Sequence, residues 1–321
     1  MDHHWNFNGL RDALALAGLS IWSDPSLASR TTYRVGGSTA IGVTIGTKEH
    51  LLTFYELIRN EGEIPIFVIG NGSNLLVSDS GFSGVALCLG GDFDRIDFEG
   101  LSARAGSSVH LPILARRSGG IGLSGFEWAV GVPGSIGGAI RMNAGGHGST
   151  MADSVESIEI YDPNEPLGYK SLSVSQCGFG YRSSGLSPTA VVLGATIRMV
   201  EGDPQLSKAR ISEIVTWRRN NQPGGQNAGS VFVNPPSISA GSLIEQAGLK
   251  GFTYRGASVS QKHANFIQAE PGASALDVIT LMAKVRDIVD AKFSIRLHSE
   301  IRFLGFDETY GLEGLNTVKS H

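Results

Sequence analysis

The 43 glycines of this chain are gathered rather than spread, at Gly36-Gly37, Gly70–Gly84, Gly119–Gly148 and Gly224–Gly256. Glycine is about twice as frequent as its ordinary share of roughly 7%. No fixed period separates these residues, which excludes collagen and short solenoid repeats. Glycine lets a backbone adopt positive φ or lie close against another surface. Several such clusters in one chain predict a backbone wrapped around a ligand.

The chain has 321 residues, enough for two or three domains, and is 41% apolar and 17% charged, a globular balance. Its net charge of −4 includes no long run of one sign, so neither nucleic acid nor an anionic membrane is an expected partner. Cys88 lies in the apolar run Val85–Leu89 and Cys177 in a glycine-containing loop. Neither has metal-ligand spacing, no histidines pair as HxxxH or HxxEH, and no metal is expected. A reducing, cytoplasmic setting follows from the cysteines. Met1–Trp5 does not open a charged-then-apolar leader, and no segment reaches the ~18 apolar residues of a membrane helix.

Apolar alternation predicts a strand over Ile41–Thr47. Leu51, Leu52, Tyr55 and Ile58 predict a helix over Lys48–Asn60, stopped by Gly62. Ile64–Ile69 reads as a buried strand, Ser78–Gly81 as a turn and Val85–Leu89 as a strand. Further along come a helix starting near Pro112, strands at Ser154–Tyr161 and Ala190–Met199, and a helix over Ser207–Arg219. Ser242-Leu243-Ile244-Glu245 has capping-box spacing, closed by Gly248. A helix over Leu276–Asp290 carries a core stripe at Val278, Leu281, Met282, Val285, Ile288 and Val289.

Gly120–Gly125 spells GxGxxG, but a helical stretch precedes it where a dinucleotide fingerprint needs a strand. Gly70-Asn71-Gly72-Ser73-Asn74-Leu75 has better context, because an apolar strand ending at Ile69 runs straight into it. Its glycines allow backbone N–H groups to converge on an anion, with Ser73 and Asn74 as side-chain donors. An ordinary turn is the competing reading. A second loop, Gly131-Val132-Pro133-Gly134-Ser135-Ile136-Gly137-Gly138-Ala139, continues through Asn143, Ala144 and Gly145. Its small side chains suit a backbone lying on a flat or extended ligand. Both loops are expected to precede strands and to form two sides of one nucleotide-sized groove.

Three polar positions stand apart from these loops. Tyr181-Arg182 sits between Gly180 and Ser183-Ser184, and Ser230 follows Asn227-Ala228-Gly229. Glu300 falls in an alternation in which Phe293, Ile295, Leu297, Ser299, Ile301 and Phe303 face one way. Taken singly, a surface arginine, a turn serine and a solvated strand face explain them as well as chemistry does.

Longer segments carry a family resemblance: Thr32–Gly37 (TYRVGG), GNGSNLL, Gly125–Gly148 (GFEWAVGVPGSIGGAIRMNAGGHG), Cys177–Ser184, NAGSVFVNP, LIEQAGLKG and KHANF. Over about Thr32–Leu304 the chain resembles the UDP-N-acetylenolpyruvoylglucosamine reductases, flavoenzymes of peptidoglycan precursor synthesis. The resemblance implies an α+β, three-domain FAD-binding fold of the vanillyl-alcohol-oxidase (PCMH) type. FAD-binding subdomains would occupy 1–90 and 91–205, a substrate-binding domain 206–308, and a flexible tail 309–321. FAD would lie non-covalently between Ile69–Leu75 and Gly131–Ala139 with Asn143. NADPH and the sugar nucleotide would use one site in turn, and the protein would be a monomer.

The resemblance also assigns catalysis to Arg182, Ser230 and Glu300, with Tyr181, Arg182 and Ser230 touching substrate. A hydride added to the terminal enolpyruvyl carbon leaves carbanion character beside a carboxylate. Arg182 would offset that charge, Ser230 would supply the proton, and Glu300 would assist the enolate side. Seventy positions separate Ser230 from Glu300. That matches the shorter branch of the family, which lacks an extra substrate loop. His147 stands where family members often carry tyrosine. An FAD oxidase of an alcohol or hydroxy acid, and a nucleotide-binding protein without chemistry, are the alternatives.

Overall fold

A computed structural model describes residues 5–306 and 317–318. The chain forms two compact units, each assembled from three segments. The first comprises Met1–Trp22, Gly42–Asn71 and Leu87–Arg218; the second comprises Ser23–Ile41, Gly72–Ala86 and Arg219–His321. The expected domain boundaries run consecutively along the chain, whereas these units interleave.

The first unit is organised on a five-stranded antiparallel sheet. Its order is Tyr169–Ser173, Val155–Tyr161, Val191–Arg198, Ser102–Gly106, Ile96–Glu99. Ala103, Ala105, Ile158 and Ile197 share one core with Leu111, Leu114, Phe126, Trp128, Ile136 and Ile140. The helix Leu111–Gly120 opens with Pro112 in its first turn, where a missing N–H costs nothing. It also ends on the first glycine of GxGxxG, so the strand required for a dinucleotide fingerprint is absent there. The helix Lys48–Asn60 forms over the predicted span and buries Leu51, Phe54, Tyr55 and Ile58. Leu52 is instead exposed, its place taken by Phe54.

A four-stranded sheet runs in the order Ser20–Ile21, Thr39–Ile45, Phe82–Leu89, Ile66–Val68. Ile66–Val68 corrects the expected buried strand: it is shorter, and Val68 is 40% exposed. An apolar run at a sheet edge looks like a core strand in sequence, because periodicity alone does not report which face is covered.

In the second unit the helix Ala275–Phe293 packs with a sheet of Thr253–Tyr254, Ala257–Val259 and Ile267–Ala269. The predicted stripe is buried except Ile288, which is partly exposed. All four N–H groups that a helix start leaves unpaired are satisfied here, Ser274 N by Asp277 Oδ2 at 3.2 Å. Ser274 Oγ accepts from Asp277 N, and the Asp79 carboxylate accepts from Ala275 N at 2.8 Å and Leu276 N at 2.9 Å. Asp79→Ala is expected to lose about 1–2 kcal/mol, read as a lower urea midpoint at unchanged slope.

Two sequence expectations change in this unit. The cap of the helix Ala240–Gln246 is Ser239, which accepts from Ser242 N; Ser242 lies inside the helix, so the proposed box is mis-set by one turn. The alternation over Phe293–Phe303 survives as burial, but Phe293 ends a helix and only Arg302–Leu304 is strand. Arg302–Leu304 pairs in parallel with Leu75–Val77 and with Thr317–Val318. Apart from those last two residues, the expected tail 309–321 lies outside the described residues.

Candidate active site

In the first unit the two glycine loops touch. A Cβ added to Gly70 would stand 2.5 Å from Ser135 Oγ, and that hydroxyl would have to turn away to admit it. Asn71 Nδ2 lies 2.9 Å from His110 Nδ1 and donates to the Pro133 carbonyl at 3.3 Å. Leu111 N donates to Gly134 O, and Ile136 and Gly137 N–H donate to the carbonyls of Val109 and Ser107. The Gly131–Ala139 loop is thus held from both sides by main-chain bonds. It leads into the short helix Ile136–Arg141, not the strand expected from sequence. The alternating small and apolar residues there are compatible with either state.

Asn143 reaches across this unit rather than along its own loop. Buried at φ 40°, it accepts from Ala152 N at 3.0 Å and donates to Gly180 O at 2.9 Å. Gly180 and Ser183 bridge, turning out Tyr181 and Arg182 between them. Arg182 is itself at φ 51°, with its guanidinium 5.3 Å from the Tyr181 ring centre. Left-handed backbone costs a non-glycine residue about 1–2 kcal/mol, and such positions collect at functional sites.

The second unit holds the rest of the predicted set. Gly72 has φ 57°, and a Cβ there would stand 2.2 Å from Arg30 O; its own carbonyl accepts from Thr32 N. Ser73 is half-buried in the turn that follows, and Leu75 opens a strand. Asn74, expected to donate to a phosphate, donates instead to the Glu300 carbonyl at 3.0 Å, while its own carbonyl accepts from Arg302 N. Ser230 bridges Phe266, Val231 O accepts from Glu300 N at 2.9 Å, and Phe232 bridges Ser299. Ser230 and Glu300 therefore lie on adjoining extended segments, tied to the Gly72–Leu75 turn. Arg182 belongs to the first unit.

Asn265 braces the Ser230 segment by accepting from Phe232 N and donating to Phe232 O. Its own N–H donates to His263 Nδ1 at 3.2 Å, so that nitrogen is unprotonated. Burial holds the His263 imidazole below the ordinary histidine value, with Lys250 adding to the effect. The unfolded chain then binds more protons than the folded one between the two values. This contribution is complete above the unfolded value near pH 6.5 and is lost as pH falls through the lower, folded one. His263→Gln is expected to flatten the acid side of a melting-temperature profile; an unchanged profile would remove His263 from that role.

Comparison with known proteins bears on both units. Residues 39–166 match the model of an FAD binding domain, and 221–304 match the C-terminal domain of UDP-N-acetylenolpyruvoylglucosamine reductase. A UDP-N-acetylenolpyruvoylglucosamine reductase of Heliobacterium modesticaldum is 39% identical over 304 residues, covering 94% of this chain and 96% of that protein. The chain belongs to the UDP-N-acetylenolpyruvoylglucosamine reductase family.

The reductase from Thermus caldophilus has a similar crystal structure, with TM-score 0.77, 33% identity, and coverage of 89% of this chain and 99% of that one. A Physcomitrella patens BBE-like protein shares the fold at TM-score 0.58 and 13% identity, covering 91% and 90%. The fold is thus the α+β FAD-binding type that the resemblance implied. The FAD-binding match spans both glycine loops, and the residues present fit that cofactor. The loop backbones are fixed in advance, side chains are minimal, and the buried hydroxyls of Ser107, beside Gly137, and of Ser108 have no hydrogen-bond partner among the described residues.

Sequence reasoning missed His110, the carbonyls of Ser107 and Val109, and the Arg30–Thr32 backbone. Each acts as a brace for a glycine loop. Asn71 and His110 are 39 positions apart, and no short-range pattern announces such a pairing.

Proposed function

We propose that this chain reduces UDP-N-acetylglucosamine enolpyruvate to UDP-N-acetylmuramate, a step of peptidoglycan precursor synthesis, with FAD as carrier and NADPH as electron donor. One observation carries the reading: an FAD-binding match and a reductase C-terminal match share a chain that spans 96% of a relative bearing that enzyme's name. The competing oxidase of an alcohol or hydroxy acid has no support from the C-terminal match.

In this reading the segments 1–90 and 91–205 hold FAD and 206–308 brings the sugar nucleotide. A flavin held there and reduced by NADPH would supply the hydride for the terminal enolpyruvyl carbon. Ser230 then donates its hydroxyl proton to the adjacent carbon; a serine is acidic enough because a carbon enolate is strongly basic. Its support is the bridge to Phe266 and the Asn265 brace, which hold the donor on rigid backbone. Glu300, on the adjoining segment, assists the enolate side. Arg182 sets fixed positive charge against the substrate carboxylate, aided by the Asn143 anchor of its loop. Ile69–Asn71 and the Gly131–Ala139 loop cradle the cofactor, and Gly72–Leu75 complete the turn. A cytoplasmic monomer fits this role, and among the described residues no helix is long and apolar enough to cross a membrane.

The test is anaerobic. NADPH is expected to bleach the flavin absorbance, and the enolpyruvyl sugar nucleotide to restore it. Bleaching without recovery would overturn the substrate assignment, and failure to take up FAD would overturn the flavoenzyme reading.

A further inference from the structure

Arg141 closes the short helix Ile136–Arg141, into which the second glycine loop runs. Its guanidinium donates to the carbonyls of Leu186 at 3.1 Å and Ser187 at 2.8 Å, and to that of Ala190. Its own carbonyl accepts from Ser184 Oγ at 3.0 Å. Three carbonyls converging on one cation suit the rigid planar fork of arginine better than a point-like ammonium. Leu186 and Ala190 are buried residues, where an unpaired carbonyl is costly.

Two positions on, Asn143 donates to Gly180 O at 2.9 Å. Residues 141–143 therefore hold both flanks of the turn that carries Arg182, Gly180 before it and Ser184, Leu186, Ser187 and Ala190 after it. Within the turn Gly180 and Ser183 bridge, and Arg182 stands at φ 51°. A non-glycine residue keeps such an angle only where its surroundings over-determine it. The chain after the turn supplies little of that constraint by itself. Gly185, Ser187, Pro188 and Thr189 are exposed, and no helix or strand forms there before Val191. A separate clip, Thr189 Oγ1 donating to Asp162 Oδ1 at 2.8 Å, ties the far end of this segment to the end of the strand Val155–Tyr161 instead.

We infer that Arg141 is a positioning residue: by fixing 184–190 to the helix that continues the cofactor loop, it sets where Arg182 stands. The inference rests on the proposed role of Arg182 toward the substrate carboxylate. It adds what keeps that guanidinium in register with the cofactor loop. A misplacement of about 1 Å can cost a hundredfold in rate, so the clip acts without touching substrate.

Two measurements on FAD-loaded protein test it. In hydrogen exchange, Arg141→Met is expected to speed exchange about tenfold across 180–187 and to leave Val155–Tyr161 at the wild-type rate. In stopped flow, the same variant is expected to keep its bleaching by NADPH and to recover with the enolpyruvyl sugar nucleotide about ten- to a hundredfold more slowly. Thr189→Val, which removes the far clip, should leave recovery within about twofold of wild type. In an Arg182→Ala background Arg141→Met is expected to slow recovery no further, because the residue it positions is gone. Arg141→Lys, which keeps the charge and loses the fork, runs the same cycle with a smaller effect should the Met variant not fold. Equal slowing in both backgrounds, or wild-type recovery in Arg141→Met, would overturn the positioning role alone. Wild-type protein that bleaches without recovering sinks the reductase reading, and the exchange rates across 180–187 then decide whether Arg141 holds the turn.

Discussion

Ser230→Ala leaves bleaching by NADPH near the wild-type rate and slows recovery with the enolpyruvyl substrate by about a hundredfold to ten-thousandfold, the span of general acid catalysis. The asymmetry follows from the chemistry. Bleaching needs no proton at substrate carbon, whereas recovery leaves a carbanion to be quenched. Ser230 sits on backbone braced by Asn265 and joined to the Glu300 segment, so removing one oxygen atom should not disturb its neighbours. Stopped-flow flavin absorbance reads both halves in one sample. Equal slowing of both halves would point to a binding defect, and unchanged recovery would take Ser230 out of the proton path.

Gly72→Ala should lose about 3 kcal/mol or more of stability, together with most of the bound flavin. Two effects add at this position. The backbone is left-handed, and the new Cβ would stand 2.2 Å from Arg30 O and 2.7 Å from Thr31 Cα, main-chain atoms that cannot swing aside. Gly62→Ala is the matched control, because its φ of 88° carries the conformational strain while nothing lies within 4 Å. That control should lose only about 1–2 kcal/mol and keep its flavin. Urea midpoints and the flavin-to-protein absorbance ratio separate the two variants. Equal losses would show that close approach to Arg30 contributes nothing.

The fold was legible where local chemistry and packing agree. The helix Lys48–Asn60 has Thr47 as its cap and an apolar face at helical spacing, so both ends and one side are written locally. The Ser242–Glu245 box misled because Ser-x-x-Glu also occurs inside helices, and only the third dimension shows that Ser239 comes first. Both glycine loops were legible as glycine loops. What was not legible was their contact, which depends on Asn71, His110 and Ser135, residues far apart in the chain and ordinary in type. Asn74 makes the same point from the opposite direction. Its position in GNGSNL suggested a phosphate donor, yet its side chain is committed to Glu300 O, a partner 226 positions away.

That Asn74 bond couples two tasks. One residue fixes the turn after Gly72 and, through Glu300 O and Arg302 N, the register of the segment bearing the carboxylate. The glycine turn and the acid-bearing segment are therefore not separable modules. Transplanting either one alone from a relative would break the shared bonds, whereas moving residues 72–77 and 299–304 as one cassette would carry the register along. For anyone redesigning this enzyme, the unit of exchange is that pair of parallel strands.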